Sequence, residues 1–147
     1  MIDRTTAPLG ALLLRVSLGV MFIAHSLYLK LVVFTLPGTA QFFQSLGLPG
    51  WVAYATFAAE AIGGVLLVLG VKARWVALAL VPVLAGATWA HAGSGWLFTN
   101  AGGGWEYPAF LTIAALAQAL VGDGAFALWK SGSLDDLQPV GSGKYAL

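Results

Sequence analysis

Five side chains of chemically capable types sit in or beside strongly apolar stretches of this 147-residue chain: Arg15, His25, Glu60, His91 and Glu106. Ionisable groups are costly in hydrocarbon, so where they occur there they pair with one another or serve a site. A guanidinium supplies a fixed positive charge for an anionic substrate or a semiquinone. A deeply placed carboxylate is a proton acceptor tuned by its surroundings. Imidazoles relay protons or donate to a carbonyl oxygen near neutral pH. Each residue also has a plainer reading: Arg15 and Glu60 as an ion pair holding two helices together, the histidines as ordinary interfacial side chains.

The elements that must position them follow from hydropathy. Hydrophobic residues make up 59% of the chain and charged residues 9%, against roughly 25% charged in soluble domains. Apolar runs at residues 9–31 (extending to 36), 51–71, 75–92 and 108–121 read as four helices in a bilayer, each near the ~20 residues that spanning requires. The last is short and is expected to draw on residues 125–129 or to sit in thinner membrane. The fold class is therefore all-α, a transmembrane four-helix bundle over residues 1–130, with residues 131–147 as a polar, mobile tail. The first run holds Arg15 and exceeds a signal peptide in length, so it reads as a retained span.

Arg4, Lys72, Arg74, Lys130 and Lys144 fall on one side of such a bundle and only Lys30 on the other. The positive-inside rule puts both termini in the cytoplasm, in a bacterium at the inner membrane. On the outer side, residues 39–46 form a short amphipathic helix or turn, and the Gly-rich 93–107 loop carries Trp96, Phe98, Trp105 and Tyr107 as interface anchors. Pro82 should kink the third helix. Ala55, Ala59 and Gly63, with Gly64 adjacent, and Gly19 one turn after Arg15, allow close helix approach.

Depth arithmetic brings the polar groups together. Arg15 lies about 9 Å and Glu60 about 16 Å from the inner ends of their helices, so their pairing is feasible. His25 and His91 share a level about 24 Å out, with Glu106 arriving from the loop at that level. Arg15 and His25 are about 80° apart on an α-helical wheel. The expectation is one polar funnel, narrowing from His25, His91 and Glu106 to Glu60 and Arg15, with Arg15, Glu60 and Trp105 as cofactor contacts. Two imidazoles and a carboxylate are also a donor set for zinc or non-haem iron, and two histidines can hold a haem. No local ligand spacing supports either, and no metal is assigned.

The sequence excludes other classes. It has no cysteine, hence no disulfide, thiolate nucleophile or Cys-bound cluster within the chain. It has no basic cluster interleaved with aromatics, so nucleic acid is not an expected partner. Gly102-Gly103-Gly104 lacks the following Lys and Ser/Thr of a phosphate loop.

Several pieces in order resemble the DoxX family of small bacterial membrane proteins: Leu12-Leu13-Leu14-Arg15-Val16, Ala24-His25-Ser26, and Phe43 followed by Gly47-Leu48-Pro49. They continue with Glu60-Ala61-Ile62-Gly63-Gly64, Val71-Lys72-Ala73-Arg74, His91, and Gly104-Trp105-Glu106-Tyr107-Pro108. The resemblance covers about residues 9 to 130, and Ser26 stands where members usually show Gly. It implies a four-helix bundle in the cytoplasmic membrane and an association with redox biology. Members include a subunit of thiosulfate:quinone oxidoreductase, others have oxidative-stress or thiol-handling partners, and many have no established activity. The expected function is a redox-associated membrane subunit engaging a quinone, with the bilayer and a redox partner protein as its surroundings. The alternatives are a non-catalytic scaffold for such a partner and a small transporter that would need an oligomer.

Overall fold

Helices account for nearly all regular structure in the computed structural model, which describes residues 3–132. α1 (Ala7–Ile23) starts with Pro8 in its first turn and continues without interruption as a π-helix, Ala24–Val33. α2 is Leu36–Ser45, α3 Trp51–Leu69, α4 Ala73–His91 and α5 Glu106–Val121. Three stretches are long and apolar enough to cross a membrane: Ala7–Val33, Trp51–Leu69 and Ala73–Ser94; Glu106–Val121 is apolar but shorter. α4 runs through Pro82 as one helix.

The breaks have local causes. Thr35 adopts φ +60° and its Oγ1 accepts from Gly38 N–H at 3.2 Å, while Pro37 fits the first turn of α2. Gly70, at φ +71°, closes α3: Gly70 N–H bonds Leu67 C=O and Val71 N–H bonds Leu66 C=O, the paired bonds of a Schellman motif.

α1 packs on α3, α3 on α4, α4 on α5 and α5 on α1, closing a ring around a core of Leu18, Phe22, Leu67, Leu80, Leu84 and Leu111. Adjacent glycines on α3 serve two different interfaces. A Cβ on Gly64 would lie 2.9 Å from Gly19 O on α1, whereas one on Gly63 would lie 2.8 Å from Leu80 Cδ1 on α4. The outward faces stay apolar, with Leu13 70%, Ile62 62% and Leu120 72% exposed, as expected of surfaces that meet lipid.

α5 ends at Val121 and does not draw on residues 125–129, the first of the two ways the sequence offered to lengthen it. Gly122 (φ +88°) and Gly124 (φ +72°) reverse the chain, and the segment returns across the end of the bundle that carries Lys72 and Arg74. Ala125 N–H bonds Pro8 O, Leu128 N–H bonds Leu69 O, Trp129 N–H bonds Gly70 O, and Lys72 N–H bonds Trp129 O at 2.7 Å. Lys72 Nζ sits 5.0 Å from the Trp129 ring centre. The tail was expected to be mobile from Ser131 on, yet Ser131 is anchored; residues 133–147 lie outside the described residues.

Asp123 makes that anchor. It accepts from Ser131 N–H and Ser131 Oγ, both at 2.6 Å, and from Arg74 N–H at 3.4 Å. Partial burial pushes its carboxyl up, but the Ser131 and Arg74 bonds outweigh this and hold it below its ordinary value. A depressed folded-state value means the stabilisation is present above the ordinary carboxylate range and is lost as pH falls through the folded value. Acid should therefore release this segment, seen as a change in Trp129 fluorescence, and Asp123→Asn should abolish that acid step. An unchanged acid profile in the variant would remove Asp123 from this role.

Candidate functional site

A cavity of about 790 Å³ lies at the other end of the bundle, between the π-helix, α2, α3 and α4. Its walls are largely apolar, and its ionisable residues are His25, Lys30, Glu60 and His91. The lining residues run from Val52 to Glu60 on α3, about 12 Å, and from Pro82 to His91 on α4, about 13 Å, which sets the cavity's depth.

The π-helix determines which side chains reach it. In i→i+5 winding, residues five apart fall on one face, so His25 and Lys30 both line the cavity, as do Leu29 and Phe34. Ser26, fully buried, bonds back through Oγ to Phe22 O at 2.8 Å and Ile23 O at 3.2 Å. These bonds give carbonyls at the α-to-π junction a second partner.

Lys30 Nζ donates to Glu60 Oε2 at 2.6 Å, with the two side chains 16% and 8% exposed. Both histidines have fixed tautomers. His25 Nδ1 lies 2.9 Å from Met21 O and His91 Nδ1 2.9 Å from Gly102 O. A carbonyl only accepts, so Nδ1 carries the proton and Nε2 is each neutral ring's acceptor. The His25 ring stacks on Tyr107 at 6.2 Å and the His91 ring on Phe42 at 6.4 Å. The second stack ties α2 to α4 across the cavity.

The expected single funnel is thus only partly formed. Glu60 does not pair with Arg15, because Arg15 finds nearer acceptors. Its Nη1 donates to Leu67 O at 3.1 Å and Val68 O at 3.3 Å, and its Nη2 to Ala125 O at 3.0 Å. Carbonyls of a helix's last turn lose their intrahelical donors; Gly70 N–H serves Leu67 O, and the buried guanidinium adds a second donor there and serves Val68 O. Arg15 therefore belongs to the opposite end of the bundle from the cavity. Glu106 also stays outside. Its Oε1 accepts from Phe98 N–H at 3.0 Å in the first turn of α5, where the helix dipole favours a carboxylate. Trp105 packs edge-on against Trp96 at 4.6 Å and, with Glu106, borders a separate outer groove. Among the described residues, no three His, Asp or Glu side chains converge as metal ligands.

Lys30 is the site residue that the sequence reading passed over. An α-helical wheel puts residues five apart on different faces. The available signal was a basic residue inside an apolar run that continues past it, alone among the basic residues at that end.

Comparison with known proteins agrees with this architecture. The DoxX family model matches residues 10–93. A Bacillus subtilis (strain 168) protein named "Putative oxidoreductase CatD" is 43% identical over 79 residues, covering 54% of this chain and 57% of the relative. The chain thus spans little more than half the length of that curated relative. No solved structure matches.

Proposed function

The chain belongs to the DoxX family, and on that premise we propose that it is a membrane-embedded oxidoreductase subunit that engages a quinone, or a comparable lipophilic redox molecule, in the cavity. The observation that supports this most is an apolar chamber of about 790 Å³ whose ionisable residues are one ion pair and two imidazoles. The relative named as an oxidoreductase points the same way.

The chemistry asked of the residues is modest. Reduction of a quinone to a quinol takes two electrons and two protons. Lys30 has ammonium donors beyond the one given to Glu60, and these suit a quinone carbonyl oxygen. The second oxygen of Glu60, and Nε2 of His25 and His91, suit a quinol hydroxyl as proton acceptors. The chain has no cysteine, so no thiol couple or Cys-bound cluster of its own supplies electrons; a soluble or membrane redox partner would exchange them. In this reading four helices cross a bacterial inner membrane with both termini cytoplasmic and the cavity in the outer half. Arg4, Lys72, Arg74 and Lys130 lie on the inner side, and the one exception, Lys30, is neutralised by Glu60.

Titrating purified protein with ubiquinone and menaquinone analogues tests the reading. Wild type should bind saturably and Glu60→Gln should bind at least tenfold more weakly. Absence of saturable binding by wild type rejects it. The scaffold reading has its own support, since Arg15, Glu106 and Trp105 are committed to structural contacts. Under it, Glu60→Gln lowers stability and leaves cellular activity intact.

A further inference from the structure

We propose that the ligand reaches the cavity sideways, from within the bilayer, and that it is a long-tailed amphiphile whose tail occupies the gap between α2 and α4. Its head would meet the Lys30–Glu60 pair. This rests on the cavity being the ligand site and adds the class of molecule that the site takes.

The rim carries the argument. Six lining residues are exposed, and the large ones among them are Phe34 at 58%, Phe42 at 45% and Trp89 at 57%; the others are Pro82, Gly86 and Gly102. All three large ones are apolar. A mouth opening to water would expose them at a cost of roughly 25 cal/mol per Å² of apolar surface; one opening to lipid would not. The charged pair lies at the opposite, inner extreme, at the level of Pro82. Along α4 the path from Trp89 at the rim to the level of Pro82 therefore runs from apolar to polar over about 10 Å of helix.

The wall along α4 fits a chain sliding past. Four of its seven lining residues, Pro82, Gly86, Ala87 and Ala90, are small, with Val83 between them and Trp89 and His91 at the rim end. A Cβ placed on Gly86 would meet nothing within 4 Å, so the helix surface is recessed there and open space follows it. A glycine in a helix interior costs about 1 kcal/mol relative to alanine, and here no close backbone approach requires it. The volume, about 790 Å³, lies toward the upper part of the roughly 300–1,000 Å³ range of pockets that enclose whole ligands. That leaves room for a polar ring and a length of tail.

The full chain reconstituted in bilayers tests this with two probes: a decyl-tailed ubiquinone analogue and the same ring without a tail. Affinities are expressed per mole of lipid, so that partitioning cancels. The tailed probe should bind wild type at least tenfold more tightly. Gly86→Leu, which fills the gap, should weaken the tailed probe at least tenfold and the bare ring less than threefold. Trp89→Ala, a change at an exposed position, should weaken only the tailed probe. Equal affinity for both probes, with both variants behaving like wild type, overturns the lateral route and leaves the quinone reading standing. No saturable binding of either probe by wild type overturns the quinone reading and this one with it.

Discussion

Lys30→Met should lower the unfolding free energy of the reconstituted protein by about 3–5 kcal/mol, and adding Glu60→Gln should restore most of that loss. The first figure is the usual cost of breaking a buried ion pair, because the surviving charge has lost its partner and water cannot replace it. Glu60 and Lys30 meet that condition, with side chains 8% and 16% exposed and a contact of 2.6 Å. The second change removes the stranded charge. Replacing both members of such a pair by neutral groups is commonly close to neutral. A double-mutant cycle by denaturant unfolding should therefore give a large coupling energy.

Ligand binding should not follow stability through that cycle. The double variant, refolded to near wild-type stability, should still fail to bind a quinone analogue, since neither the ammonium donors nor the carboxylate acceptor remain. That divergence separates a site from a packing device. If the single variants unfold like wild type, the pair is not in a low-dielectric setting. If the double variant binds quinone with wild-type affinity, the head group does not sit at these residues.

The helices themselves were legible because their signals are local. Hydropathy marks the spans, and Pro37-Gly38 and Pro49-Gly50 separate the first from the second. The site was legible only in part. Depth arithmetic put His25 and His91 at one level, and both line the cavity. Direction around the helix is not so safe. The π-helical stretch Ala24–Val33 changes which residues share a face, and that brought Lys30 to Glu60.

Pairing also failed where it weighed charge against charge alone. Arg15 was matched with the nearest carboxylate on the neighbouring helix. In a bilayer the unsatisfied carbonyls at a helix end compete as acceptors, and they lay closer. For Glu106 the competitor was the Phe98 backbone N–H. Both misplacements come from treating a buried polar side chain as a partner for side chains when backbone groups outnumber them.

Arg15→Met should then be among the most damaging single changes to stability and nearly silent for ligand binding. Arg15 is 1% exposed and ties three carbonyls, two at the end of α3 and one in the returning segment after α5. Methionine fills much of the volume but donates nothing. Leu67 O keeps Gly70 N–H, but Val68 O and Ala125 O lose the guanidinium; each carbonyl left without a donor costs about 1–3 kcal/mol, so a loss of about 2–5 kcal/mol is expected. Gly70 records how tightly the guanidinium is held, since a Cβ there would collide with Arg15 Nη1. Arg15→Lys should fall between the two, because one ammonium cannot hold α3 and Ala125 together as a planar fork does. Along the helix His25 lies about 15 Å beyond Arg15, so the folded fraction should bind quinone analogues within about threefold of wild type. Unfolding and binding measured on the same reconstituted samples decide the matter. A variant that kept its stability but lost binding would move Arg15 back into the site and show that its carbonyl contacts are incidental.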